Sequence, residues 1–112
     1  MKFTLTLAAA AVATVAAYDH TTTCPFAEFS KLAPVATEPS LQVCQDASGW
    51  QMLPPVGMPT ADQYTLMCAT PECFELITAV NATKPDDCML VFGDVSLNVK
   101  ELVDTFEPIC FA

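Results

Sequence analysis

Six cysteines standing behind an apolar leader constrain this chain more than any other feature in it. Cys24, Cys44, Cys68, Cys73, Cys88 and Cys110 all follow a stretch with the layout of a secretory signal. Lys2 supplies its positive start, Leu5 to Val15 its apolar run, and Val15-Ala16-Ala17 a small-residue cleavage site. The stretch is too short and wrongly flanked for a membrane anchor, so residues 1–17 read as a signal peptide and 18–112 as one mature domain. An even cysteine count in a short exported chain implies three disulfides, and the sequence alone permits fifteen pairings of six cysteines. A single core is marginal at this length. Crosslinks offset that by restricting the unfolded chain, at roughly 2–4 kcal/mol each.

Charge narrows the function. After Ala17 only Lys31, Lys84 and Lys100 stand against all thirteen acidic residues, there is no arginine, and the whole chain carries a formal net charge of −9. Phosphate binding needs clustered cations, so a nucleic-acid groove is excluded, and docking on anionic lipid is disfavoured for the same reason. The acidic surface favours solubility and encounters with cationic partners. Hydrophobic residues make up 53% of the chain, more than the leader explains, so the remainder belongs in a core or lines an internal site. With no second hydrophobic run, the exported domain is expected to have no stable insertion in a membrane.

The pattern along the chain is mostly helical. Thr23-Cys24-Pro25 reads as a helix start, with Phe26, Phe29, Leu32 and Ala33 on one face. Pro34 ends or kinks that helix, and Pro39 opens a second segment through Leu41, Val43 and Cys44. Asp46 to Pro59 reads as a long compact loop of the Ω type. It is rich in apolar side chains (Trp50, Met52, Leu53, Val56, Met58), so it is expected to fold over something apolar. Thr60 and Gln63 form a capping box for a helix bearing Tyr64, Met67 and Cys68. Thr70 caps the next helix, with Pro71 in its first turn and Cys73, Leu76, Ile77 and Val80 inward, and Lys84-Pro85 stops it. Met89 to Phe92 and Val95 to Leu97 read as a short antiparallel hairpin, because Gly93-Asp94 suits a type II′ turn. Asn98, with Glu101 three residues on, starts the last helix, and Pro108 ends it before Cys110.

Little here points to catalysis or to metal. The single histidine, His20, lies near the start of the mature chain, and a Ser-His-Asp or Cys-His arrangement would have to recruit it from there. Cys68 and Cys73 have no second close pair to complete a zinc site. The acidic pairs Asp86-Asp87 and Glu72/Glu75 read as a solvated face or a helix N-terminus rather than as an acid–base couple. Asn81-Ala82-Thr83 matches an N-glycosylation acceptor.

From Cys24 onward the chain resembles the elicitins, small secreted sterol-carrying proteins of oomycetes that trigger plant defence. The resemblance covers essentially the whole mature domain. It rests on the cysteine spacing together with Ser48-Gly49-Trp50-Gln51-Met52-Leu53, the run Pro59-Thr60-Ala61-Asp62-Gln63-Tyr64-Thr65-Leu66-Met67-Cys68-Ala69, Pro85-Asp86-Asp87-Cys88 and Leu97-Asn98-Val99. It implies the elicitin fold: a mainly α, disulfide-stapled domain with one short β-hairpin and a long loop forming a beak over an apolar cavity. It also implies the pairing Cys24–Cys88, Cys44–Cys73 and Cys68–Cys110. The cavity of that family holds one sterol, with a tyrosine near the sterol hydroxyl at the position of Tyr64. By the same resemblance Met52, Leu53, Met67, Leu76, Val99 and Leu102 line it. The chain departs from the family where a lysine discussed for necrotic activity is replaced by Pro34 and a second cavity tyrosine by Leu102. The stretch from the hairpin to the end is also two residues shorter. These departures suggest an acidic or elicitin-like member.

The physics of such a site is lopsided. Burying a sterol's mostly apolar surface, about 600 Å², contributes on the order of 10–15 kcal/mol before association costs. One hydrogen bond from Tyr64 adds only about 1 kcal/mol net. Apolar walls would therefore set affinity, and the phenol would set orientation. Met52, Met58, Met67 and Met89 suit a wall that fits a ligand or closes without one. The expected function is a secreted, non-enzymatic carrier with no cofactor and a sterol or other lipid as its ligand, perceived by plant hosts through a plasma-membrane receptor. A secreted effector working through protein contacts with that receptor is the alternative, and a lipid-acting hydrolase using the acidic pairs is a third reading.

Overall fold

The computed structural model describes residues 18–112. The expected signal peptide and its cleavage site lie outside the described residues. The five α-helices among the described residues are α1 (Ala27–Lys31), α2 (Pro39–Ser48), α3 (Ala61–Cys68), α4 (Pro71–Ala82) and α5 (Val99–Cys110), with a 3-10 turn at Ala33–Thr37. Strands β1 (Leu90–Phe92) and β2 (Val95–Leu97) form one antiparallel pair, in register Leu90 to Leu97 and Phe92 to Val95. Helix α2 packs along α4, α3 closes on both, and α5 lies across α3 and α4. The fold is mainly helical and is crosslinked by Cys24–Cys88, Cys44–Cys73 and Cys68–Cys110.

Several boundaries follow from local chemistry. Thr60 and Gln63 make a reciprocal capping box, with Gln63 N donating to Thr60 Oγ1 at 3.2 Å and Thr60 N donating to Gln63 Oε1 at 3.0 Å. Asn98 caps α5 by accepting from Glu101 N at 2.9 Å. In the hairpin Gly93 takes φ 62° while Asp94 keeps a negative φ, the combination that a type II′ turn requires.

Other boundaries differ from expectation. The first helix begins at Ala27 rather than at Pro25, because the preceding backbone is pulled into a bridge with Met89. Cys24 N donates to Met89 O at 2.8 Å, and Met89 N donates to Thr22 O at 2.7 Å. Helix α2 runs on to Ser48 and is ended by Gly49 at φ 78°, so the long loop starts there and not at Asp46. Thr70 stands at the N-cap position of α4 without capping it, because its hydroxyl donates back to Leu66 O at 2.8 Å. Pro108 does not end α5, which continues to Cys110. The proline removes only the donor to the Asp104 carbonyl, Phe111 N still reaches Glu107 O at 2.9 Å, and the Cys68–Cys110 bridge holds the last turn.

The segment 18–24 lies as a strap over the start of α5, held by charge and hydrogen bonds. Tyr18 donates to Asp104, and His20 Nε2 meets Glu101 Oε1 at 2.6 Å. The Asn98 amide, 2% exposed, donates to Asp19 O and to Asp87 Oδ1, each at 2.8 Å. The Glu101 hydrogen bond raises the His20 pKa against the opposing effect of desolvation, and the charges of Asp87 and Asp19 add to it. Asp87 is lowered by the Asn98 amide and the Asp19 N–H, and Asp19 is lowered by the Thr21 and Thr22 N–H groups. The His20 contribution is therefore complete below its ordinary value of about 6.5 and is lost as pH rises through the raised one. The two aspartates contribute above the ordinary carboxylate range, about 4, and their share is lost as pH falls through their lowered values.

Thermal melts at low salt should show the melting temperature falling between pH 6 and pH 8 more steeply in the wild type than in His20→Gln. The difference should shrink at high ionic strength, because His20 is exposed. Asn98→Ala removes a helix cap and two partly buried hydrogen bonds and should cost about 2–4 kcal/mol, against about 1 kcal/mol for Thr60→Ala, in denaturant titrations.

Candidate functional site

The residues proposed to line a cavity come together in one apolar cluster. Met52, Met67, Leu76, Val99 and Leu102 are buried in it, and Leu53 and Tyr64 are partly buried against it. They come from the loop, α3, α4 and α5, so the crosslinked fold brings together side chains from four separate segments. Trp50, Leu97 and Phe106 complete the same interior. Met52, Met67, Leu76 and Leu102 have no solvent-accessible surface. The interior is closed around them, with methionine and leucine side chains packed against one another.

One atom in that interior is out of place. The Tyr64 hydroxyl is buried and, among the described residues, has no hydrogen-bond partner. Its ring lies 6.4 Å from that of Phe106, centroid to centroid, and Phe74 meets Phe106 edge-on at 5.0 Å. The hydroxyl that bears on the phenol is that of Thr105, which donates to Glu101 O at 2.6 Å; its oxygen keeps acceptor capacity but makes no hydrogen bond of good geometry with the phenol. Burial raises the Tyr64 pKa, the Glu101 charge raises it further, and Thr105 acts weakly in the opposite direction. The phenol is therefore a neutral donor that makes no hydrogen bond of good geometry. A buried polar group left in that state costs about 1–3 kcal/mol.

The loop over this interior is braced from within. Trp50 is wholly buried, and its Nε1 donates to Gly57 O at 2.8 Å, closing the loop on itself. Gln45 Oε1 accepts from both Met52 N and Leu53 N, at 2.9 and 3.2 Å, and so fixes the apolar pair that the loop delivers. Gln63 Nε2 donates to Gly49 O at 3.1 Å, tying the loop's start to α3. Gly57, at φ 99°, lies beside Val95 of β2, so the loop rests against the hairpin.

Gln45 and Phe74 carry no sequence signal for these roles. Gln45 is a polar residue in a helix, and Phe74 stands off the inward stripe formed by Cys73, Leu76, Ile77 and Val80. Leu53, which the resemblance placed in the lining, is only half covered. Val99 lies at the other end of the cluster, bordering a small crevice with Cys24, Leu32 and Leu90.

These features define a class: a disulfide-stapled helical domain whose braced apolar loop and hairpin close over an interior holding one unsatisfied phenol. The chain belongs to the elicitin family, whose model matches residues 23–110. It is similar to highly acidic elicitin 20 of Phytophthora cryptogea, at 36% identity over 98% of this chain and 94% of that protein. It is 40% identical to elicitin-like protein 1 of Pythium oligandrum over 64% of this chain, a match spanning only 45% of that longer relative. Its fold superposes on the crystal structure of sylvaticin, a secreted protein from Pythium sylvaticum, with a TM-score of 0.82 and 64% identity. That match covers 84% of this chain and all of that one. Among the described residues no helix is long and apolar enough to cross a membrane.

Tyr64→Phe keeps the ring and deletes the stranded hydroxyl, so it should stabilise the ligand-free protein by about 1–2 kcal/mol. Differential scanning calorimetry should read this as a rise of several degrees, since about 1 kcal/mol moves the midpoint of a domain this size by about 4–8 °C.

Proposed function

We propose that this elicitin is a secreted, non-enzymatic carrier that takes up one sterol in the interior bounded by Met52, Leu53, Tyr64, Met67, Leu76, Val99 and Leu102, and that plant hosts perceive it as an elicitor of defence. The observation that carries the reading is the Tyr64 hydroxyl, a buried donor without a hydrogen-bond partner beside the apolar interior. A ligand with one hydroxyl at the end of a rigid hydrocarbon body supplies the missing acceptor and replaces the aliphatic contacts it displaces. The interior is closed, so uptake requires Met52 and Met67 to change rotamer and the loop to give way. Unbranched thioether side chains do this at low cost. The secreted relative sylvaticin and the family membership support the extracellular part of the reading. The carrier needs no cofactor, and its partners are the sterol and a host plasma-membrane receptor.

A second reading is an effector that acts on a host receptor through its protein surface, with reduced sterol uptake. The closed packing of Met52, Met67, Leu76 and Leu102 favours it.

A fluorescent sterol titrated into purified protein should bind saturably, one per chain, and Met67→Trp should abolish uptake by filling the space the ligand needs. Tyr64→Phe should weaken a sterol with an unmodified hydroxyl about five- to tenfold, the equivalent of about 1 kcal/mol, and leave the analogue lacking that oxygen unaffected. Absence of saturable uptake, or uptake indifferent to Met67→Trp, overturns the carrier. Defence responses in leaves that survive Met67→Trp would then establish the second reading.

A further inference from the structure

The chain has two asparagines, at 81 and 98, and the fold uses them in opposite ways. Asn98 is buried, caps α5 and donates to both Asp19 O and Asp87 Oδ1. Asn81 is exposed in the last turn of α4, and among the described residues its side chain makes no hydrogen bond. It alone of the two is followed by a hydroxyl residue two positions on, in Asn81-Ala82-Thr83. Thr83 terminates α4 with its hydroxyl donating to Val80 O at 2.7 Å, and the backbone then turns sharply through Lys84 at φ 56°.

Space surrounds this position. Asn81 borders an open groove of about 620 Å³ shared with Lys84, Pro85, Asp86, Asp87 and Lys100. It also borders a second groove, of about 360 Å³, running between α4 and α5. The first offers charged and polar groups that suit sugar hydroxyls. Neither groove is lined by a residue of the loop 49–60 or by Tyr64, Met67, Leu76 or Leu102.

We infer that Asn81 is an N-glycosylation site that carries one oligosaccharide through an N-acetylglucosamine, and that the sugar lies over the α4–α5 side of the domain. The inference rests on the secreted reading, since the donor and the transferase act in the secretory pathway. In the transfer, Asn81 Nδ2 forms a bond to the anomeric carbon of a lipid-pyrophosphate-linked oligosaccharide. The bond from that carbon to the pyrophosphate oxygen breaks, the lipid pyrophosphate leaves with the electron pair, and Nδ2 gives one proton to a base of the transferase. No oxidation or reduction is involved. The folded domain accommodates the product because the acceptor nitrogen is exposed and unengaged, and the walls around the sterol interior stay uncovered.

The full chain expressed in a eukaryotic secretory host tests the assignment, with intact mass and peptide N-glycosidase as readouts. The secreted protein should carry one glycan, removed by the glycosidase to leave an aspartate at the acceptor. Asn81→Gln and Thr83→Ala should be secreted without it, and Thr83→Ser should retain it. Fluorescent-sterol titration should give the same affinity for the glycosylated protein and for Asn81→Gln. A secreted wild type with its leader removed and no sugar, or a glycan that persists in Asn81→Gln, overturns the site while leaving the secreted reading intact. Retention inside the cell with the leader uncleaved overturns the secreted reading and this inference with it.

Discussion

The Cys44–Cys73 bridge is the constraint on which the rest of the structure depends. Both of its residues are completely buried, and it joins α2 to α4 with their Cα atoms 4.8 Å apart. It therefore serves as core packing and as crosslink together. Cys24–Cys88 ties the strap to the chain leading into the hairpin, and Cys68–Cys110 ties α3 to the end of α5. The three bridges close sequence separations of 64, 29 and 42 residues. In the chain-entropy account each contributes about 3.5–4.5 kcal/mol by restricting the unfolded ensemble, a large share of the stability of a domain this small.

A stapled shell changes what the interior has to do. Helices held by covalent bonds do not need their core to be optimally packed in order to stay in register. The core can then hold a feature that lowers stability, and it does: a buried phenol hydroxyl that makes no hydrogen bond. The bracing of the loop is consistent with the same division of labour. Gln45, Trp50 and Gln63 hold its backbone, while the side chains it delivers inward are methionine and leucine, which repack easily. The loop is held by side chain-to-backbone hydrogen bonds within the crosslinked frame, and the side chains it sends inward carry none of that bracing.

The strongly acidic surface belongs to the same picture. Lys31 is drawn onto Glu28 at 2.7 Å, and Lys100 onto Asp104 at 3.2 Å. Among the described residues most carboxylates have no cation beside them and repel one another across the surface, a charge balance that favours solubility. Where acids do gather, around the strap, they are used. Asp19 and Asp87 accept from backbone N–H groups and from the Asn98 amide, and Glu101 takes His20.

The chain's own order of residues determined whatever depends on neighbours a few positions apart. That includes the capping box at Thr60 and Gln63, the cap at Asn98, the Gly93-Asp94 turn, and the existence of each helix and of the hairpin. Local signals failed where a distant partner outbid them. Pro25 lost its helix start to the pairing with Met89, Thr70 spent its hydroxyl on Leu66, and Pro108 stayed helical beside a crosslinked Cys110. Only the tertiary structure decided that Gln45 braces the loop, that Phe74 reaches Phe106, and that the Tyr64 hydroxyl ends buried without a hydrogen bond. The reason is physical: a hydrogen bond within one helical turn is specified by the residues of that turn. Whether a buried donor finds an acceptor depends on every segment the fold brings around it.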